Sequence, residues 1–188
     1  MKHSYFILFI ALNFLINAAY AITQTKPIVC DEQYVLCTSA PCIPDPRHLN
    51  YAICSCVVKK GDSVGYNTCD KRVPGHGQFK TVKLVSTFSF EQFKTKKSMT
   101  CAKGIPWTNC LDAPCTVNPM DATKAICSCK INHDQAFITF GGDCDTKTCA
   151  MGFWSGATTS TGTSLLNALF KKLKITQNPF PNNACAVN

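Results

Sequence analysis

The chain lacks two signatures of common hydrolases and nucleotide enzymes: it has no H-E-x-x-H helix and no P-loop. Histidine is scarce, with 4 in 188 residues, and His48, His76 and His133 stand in unrelated contexts. His76 lies between Gly75 and Gly77, a poor setting for holding a general base. His133-Asp134 is similar to the His-Asp step of secreted phospholipases, but the flanking double cysteine of that motif is missing. Charged residues make up only 16%, yet hydrophobic residues reach 46%, so this is not the composition of a disordered chain. A second long apolar run is also absent, which excludes a multi-pass membrane protein.

The one apolar run is N-terminal. Residues 1–21 place Lys2 before an apolar stretch from Tyr5 to Ile16 and end on Ala19-Tyr20-Ala21. That order predicts a cleaved secretory signal, and the run is shorter than the ~20 apolar residues a membrane span needs. The expected location is therefore secreted, extracellular or periplasmic, with no transmembrane span after cleavage.

What the chain has in excess is cysteine: Cys30, Cys37, Cys42, Cys54, Cys56, Cys69, Cys101, Cys110, Cys115, Cys127, Cys129, Cys144, Cys149 and Cys185. An even count in an exported chain predicts disulfides. Zinc is the competing use, but its sites favour wider ligand gaps than Cys54-Ser55-Cys56 and often add histidine, so no metal and no cofactor is expected.

The cysteines are organised by an internal repeat. Residues 37–56, CTSAPCIPDPRHLNYAICSC, align without gaps on residues 110–129, CLDAPCTVNPMDATKAICSC, and 10 of the 20 positions are identical. Tyr34 matches Trp107, Cys30 matches Cys101 and Cys69 matches Cys149, leaving Cys144 and Cys185 as extras. A fainter echo links residues 86–97 to 163–174, with Phe93 opposite Phe170. The reading is a small disulfide-rich, mainly β fold with a C-terminal helix, built as two tandem repeats of a six-cysteine module. Residues 22–100 form repeat 1 with a basic strand segment at 71–97, and residues 101–188 form repeat 2 with the helix and tail. Three bridges inside each repeat plus Cys144–Cys185 is the economical count, although six cysteines leave many connectivities open. Cys54 and Cys56 should not bridge each other, because alternate residues of a strand lie ~6.5–7 Å apart.

Alternation predicts strands over 51–58, 125–131 and 80–90, with 136–140 as a return strand. Leu165, Leu169 and Leu173 predict a helix over 164–174, capped by Ser164 and carrying Lys171, Lys172 and Lys174 at its C-terminal end.

The segments NCLDAPC, AICSC and TFGGDCDTKTCA followed by FWSGA resemble a pattern of uncharacterised cysteine-rich secreted proteins of Gram-negative bacteria. The resemblance implies export and duplication of a cysteine module, and it transfers no activity or site.

Three function classes remain. A small basic secreted hydrolase has no catalytic constellation to support it. A protease inhibitor would present a loop such as Pro46-Arg47-His48, with Met120 in the second repeat. A non-enzymatic extracellular binding module fits the charge pattern best. Residues 71–97 carry Lys71, Arg72, Lys80, Lys83, Lys94, Lys96 and Lys97 against Glu91 alone, interleaved with Phe79, Phe88, Phe90 and Phe93. Lys80, Lys83, Lys94, Lys96 and Lys97 are the candidate ligand-binding residues. The expected partner is an extracellular polyanion (a glycan, lipopolysaccharide or an anionic lipid surface) or a host or extracellular protein. Nucleic acid is the least favoured partner, since no recognised binding motif accompanies the charge. Trp107 and Trp154 are read as packing against bridges rather than lining a sugar site.

Overall fold

The computed structural model describes residues 26–94, 96–141, 144, 147–150, 152–177, 179 and 184–185. The expected export signal at 1–21 lies outside the described residues.

The chain is mainly β. Its centre is β3 (Tyr51–Gly65), which takes partners along both edges. β1 (Ile28–Leu36) runs antiparallel to its second half, from Ile28 opposite Gly65 to Leu36 opposite Val57. β2 (Cys42–Pro44) pairs with its first half, Cys42 opposite Cys54. The other edge of that first half takes β9 (Asp121–Asn132), with Cys54 opposite Cys127. β9 also pairs β8 (Pro114–Asn118), and β8 pairs β5 (Val82–Thr87). β5 then meets β1 in parallel, Val35 opposite Ser86. The pairings β3–β9–β8–β5–β1–β3 therefore close five strands into a ring, which removes the open edges those strands would otherwise present.

Period-2 alternation decides what faces inward. Cys54 and Cys56 on β3, and Ala125, Cys127 and Cys129 on β9, are buried in one core with Val35, Leu84 and Val117, and Ala52 of β3 is buried as well. Tyr51, Ser55, Val57, Lys124, Ile126, Ser128 and Lys130 point outward and are exposed. The β3–β9 register is symmetrical about Cys54–Cys127, two positions that match in the sequence alignment: Ala52 faces Cys129, and the equivalent pair, Ala125 and Cys56, face each other in turn. β2 on β3 and β8 on β9 follow the same rule, with Cys42 opposite Cys54 and Cys115 opposite Cys127.

Every cysteine is bridged. Cys37–Cys56 and Cys42–Cys54 in the first half correspond to Cys110–Cys129 and Cys115–Cys127 in the second, with identical separations of 19 and 12 residues. Cys30–Cys69 and Cys101–Cys149 close longer loops of 39 and 48 residues, and Cys144–Cys185 ties down the tail. Cys54 and Cys56 each bridge elsewhere, as the strand geometry requires.

Three expectations change in detail. The strand predicted at 136–140 is β10 (Phe137–Phe140), but it does not return along β9. Both edges of β9 are already taken, by β3 on one side and by β8 and β7 (Trp107–Asn109) on the other, so β10 pairs β6 (Ser98–Cys101) instead. After a short α1 (Lys147–Ala150) and β11 (Trp154–Gly156), the helix α2 runs over Thr159–Leu173, one turn longer than its leucine pattern indicates. Thr158, not Ser164, is the cap: its hydroxyl accepts from the Thr161 N–H at 3.2 Å. Residues 86–97 and 163–174 also differ in conformation, the first ending β5 and entering a 3-10 turn at Phe90–Lys94, the second lying in α2.

Leu165 and Leu169 of α2 are fully buried against Val64, Phe88 and Phe140. Beside them lies an apolar cavity of about 90 Å³ that Gly162 helps to line, and a Cβ added at Gly162 meets no atom within 4 Å. Gly162→Ala should therefore stabilise the fold by about 1 kcal/mol, through helix propensity and partial filling of the cavity. The check is the unfolding midpoint in urea with bridges intact. By contrast, a Cβ at Gly156 would meet the Ile138 carbonyl oxygen at 2.6 Å, so β11 reaches β10 only as glycine.

Candidate anion-binding cleft

The outward face of β3 carries Ser55, Val57 and Lys59 in succession, because Cys54 and Cys56 take the inward positions. Next to β3, β1 ends at Leu36 and leads into the turn Ser39-Ala40-Pro41. The 3-10 turn Phe90–Lys94 then brings Glu91, Gln92 and Lys94 to the same place, followed by Lys96. Together these segments enclose a cleft of about 330 Å³.

Its electrostatics are unequal. Glu91 receives both Lys94, by a close ion pair, and Lys59 at 4.0 Å. Lys96 instead donates to Ser39, to the carbonyl oxygen at 3.3 Å and to Oγ at 3.4 Å, and among the described residues no carboxylate pairs with it. Partial burial pulls the Lys96 ammonium below the ordinary lysine range. Gln92 is 2% exposed; its Oε1 accepts from the Thr38 hydroxyl at 3.1 Å, while its Nε2 donor is buried without a partner.

The structure distributes the predicted basic residues over two places. Lys94 and Lys96 line the cleft. Lys80 and Lys83 belong to the start of β5 and its approach, at the opposite end of that strand, and Lys83 donates to the Thr116 hydroxyl. Lys97 is exposed just before β6. Arg72, counted with the basic segment from sequence, is buried and paired with Glu32 at 3.3 Å, so its charge does not reach the surface. The phenylalanines turn inward: Phe88 is buried, Phe93 meets Phe140 edge-on at 4.7 Å, and Phe90 stacks on Phe170 at 5.4 Å. The side chain of Phe79 lies outside the described residues.

Lys59, Ser39, Ser55 and Gln92 were not legible as site residues, although alternation along β3 already places Lys59 on the outer face with Ser55. Trp107 is buried, stacked on Phe137 at 5.2 Å and packed with the Cys101–Cys149 bridge. Tyr34, its sequence counterpart, is also buried; burial pushes its hydroxyl pKa up, and the hydroxyl donates to Ser89 Oγ at 2.8 Å.

The histidines are scattered. His48 is exposed and meets the buried Asp45 at 3.0 Å, where the Arg47 N–H and His48 hold the carboxyl below the ordinary carboxylate range. This clamp leaves Arg47 exposed on the β2–β3 loop. His76 lies on the two-residue β4 (Gly75–His76), and His133 is exposed after β9. The sulfurs of Cys37, Cys54, Cys110 and Cys129 lie within 4.8 Å of one another, but each belongs to a bridge, and zinc is held by free thiolates. Comparison of the chain with family models, curated proteins and solved structures returns no match.

Proposed function

We propose that the chain is an exported, non-enzymatic binding module for extracellular polyanions, built from a duplicated six-cysteine unit. The observation that carries the binding reading is the cleft, where Lys59, Lys94 and Lys96 stand against a single carboxylate, Glu91, which pairs with Lys59 and Lys94 and leaves Lys96 to Ser39. Lys80, Lys83 and Lys97 add exposed positive charge from the same segment of chain. Such a surface attracts anionic chains and orients their approach. Duplication is supported by the ten identities between residues 37–56 and 110–129 and by matched bridges at matched cysteines. Export to an extracellular or periplasmic location is supported by the signal-like N-terminus and by the absence of free cysteine.

The test is binding of the full oxidised chain to immobilised heparin across a salt series. Binding should weaken steeply with salt, because screening limits charge attraction to ~8 Å at physiological ionic strength. Changing Lys94, Lys96 and Lys97 together to Ser should remove most of it while the unfolding midpoint stays in place, since exposed ion pairs contribute little to stability. The triple change of Lys171, Lys172 and Lys174 on α2 is the control. Equal loss from both would show that net charge alone matters. Full retention by the first variant would end the proposal.

A further inference from the structure

We propose that the cleft between β3 and the Phe90–Lys94 turn is a subsite for one acidic sugar residue of a glycan chain, whose carboxylate or sulfate meets Lys96 and Lys59 while the Ser55 hydroxyl meets a ring hydroxyl. This rests on the polyanion reading above and sharpens it to one place and one ligand class.

The volume of about 330 Å³ lies at the lower end of small-ligand sites, the scale of a sugar residue rather than of a large cofactor. The lining mixes three chemistries. Lys96 contributes an ammonium that, among the described residues, meets the oxygens of Ser39 and no carboxylate. Ser55 contributes an exposed hydroxyl on the outer face of β3. Pro41 and Val57 offer apolar contact for a ring face. Glu91, already holding Lys59 and Lys94, keeps acceptor capacity for a second hydroxyl. A site with donors, an acceptor and apolar contacts suits a polyhydroxylated acid. A bilayer would have to reach Ser55 and Lys96 inside a concavity, whereas amphipathic elements that bind lipid present an open face to the membrane plane.

The experiment is calorimetric titration of the full oxidised chain with a heparin-derived sulfated tetrasaccharide, a neutral tetrasaccharide, free sulfate and phosphatidylglycerol vesicles. The sulfated tetrasaccharide should bind at least tenfold more tightly than free sulfate, and the neutral one should show no binding. Lys59→Gln with Lys96→Gln should lower that affinity at least tenfold, more than Lys80→Ser with Lys83→Ser does, and Lys171→Ser with Lys172→Ser should leave it within twofold. Ser55→Asp, an exposed change that adds charge at the cleft, gives the same loss without touching a lysine. If the cleft variants bind as the parent does while the Lys80 and Lys83 pair loses affinity, the subsite is overturned and the polyanion reading stands. If the parent binds no anionic probe, both fall. If vesicles bind through Lys59 and Lys96 and the tetrasaccharide does not bind, the saccharide assignment is overturned in favour of lipid.

Discussion

Alanine at position 72 is expected to lower the free energy of unfolding by about 3–5 kcal/mol, the cost typical of breaking a buried ion pair from one side. Arg72 is among the largest fully buried side chains in the fold. Its guanidinium meets Glu32 at 3.3 Å, the Ile28 carbonyl oxygen at 3.1 Å and the Asn67 carbonyl oxygen. It thereby fastens the turn Cys69–Arg72, and the Cys30–Cys69 bridge within it, to the start of β1. Truncation leaves Glu32, only 11% exposed, with the Ser63 hydroxyl at 2.8 Å as its remaining donor, and leaves two carbonyls facing a void. A loss of this size is a large share of the ~5–15 kcal/mol that holds a typical domain together. The measurement is urea unfolding with bridges intact. Glu32→Gln combined with Arg72→Met should recover part of the loss, because neither charge is then left alone. A loss below about 1 kcal/mol for Arg72→Ala would show that water, not the fold, solvates this pair.

Arg72 also marks where sequence reading stops. From the sequence it is one of seven basic residues in 71–97, and only the turn that places it under β1 removes it from the surface count. The interleaved phenylalanines were legible as aromatics but not as core, because their partners, Phe140 and Phe170, come from segments far along the chain. What was legible was local or repeated. Alternation marked the first half of β3, the second half of β9 and a span that contains β5 and overruns it at both ends, and the leucine period marked the C-terminal part of α2. The alignment supplied an equivalent position for every cysteine but Cys144 and Cys185, without the connectivity inside each repeat, and those two extras are bridged as the economical count had them. Closure of the ring was not legible. It depends on β3–β9 and β5–β8, pairings between distant strands for which a single sequence offers no register signal. The cleft inherits that difficulty, since its walls come from residues 36–41, 55–59 and 91–96, which only the ring and the 3-10 turn bring together.

The same closure sets the last expectation. Replacing both cysteines of the Cys42–Cys54 bridge by alanine should cost ~3 kcal/mol, and the Cys115–Cys127 pair should cost the same, because each closes a loop of 12 residues. Cys30–Cys69 and Cys101–Cys149, with separations of 39 and 48, should cost about 1 kcal/mol more each, since loop entropy grows slowly with length. Neither deletion should unfold one half alone. The core of the ring contains cysteines from both halves, Cys54 beside Cys110 with their sulfurs 3.6 Å apart, so loosening one strand pair exposes the other. Two reporters test this. Trp107 fluorescence in a Trp154→Phe background follows the second half, and the near-UV dichroism of the buried Tyr34 in a Trp107→Phe, Trp154→Phe background follows the first. Both should trace a single transition in the parent and in each bridge variant. Reduction of all seven bridges should abolish the near-UV signal altogether, because the summed loss at ~2–5 kcal/mol per bridge exceeds the stability of an ordinary domain. Two separated transitions would mean that β3–β9 pairing contributes little and that each half folds on its own bridges. A reduced chain with its full near-UV signal would mean that the hydrophobic contacts around Val64, Phe88 and Leu165 suffice without the sulfur framework.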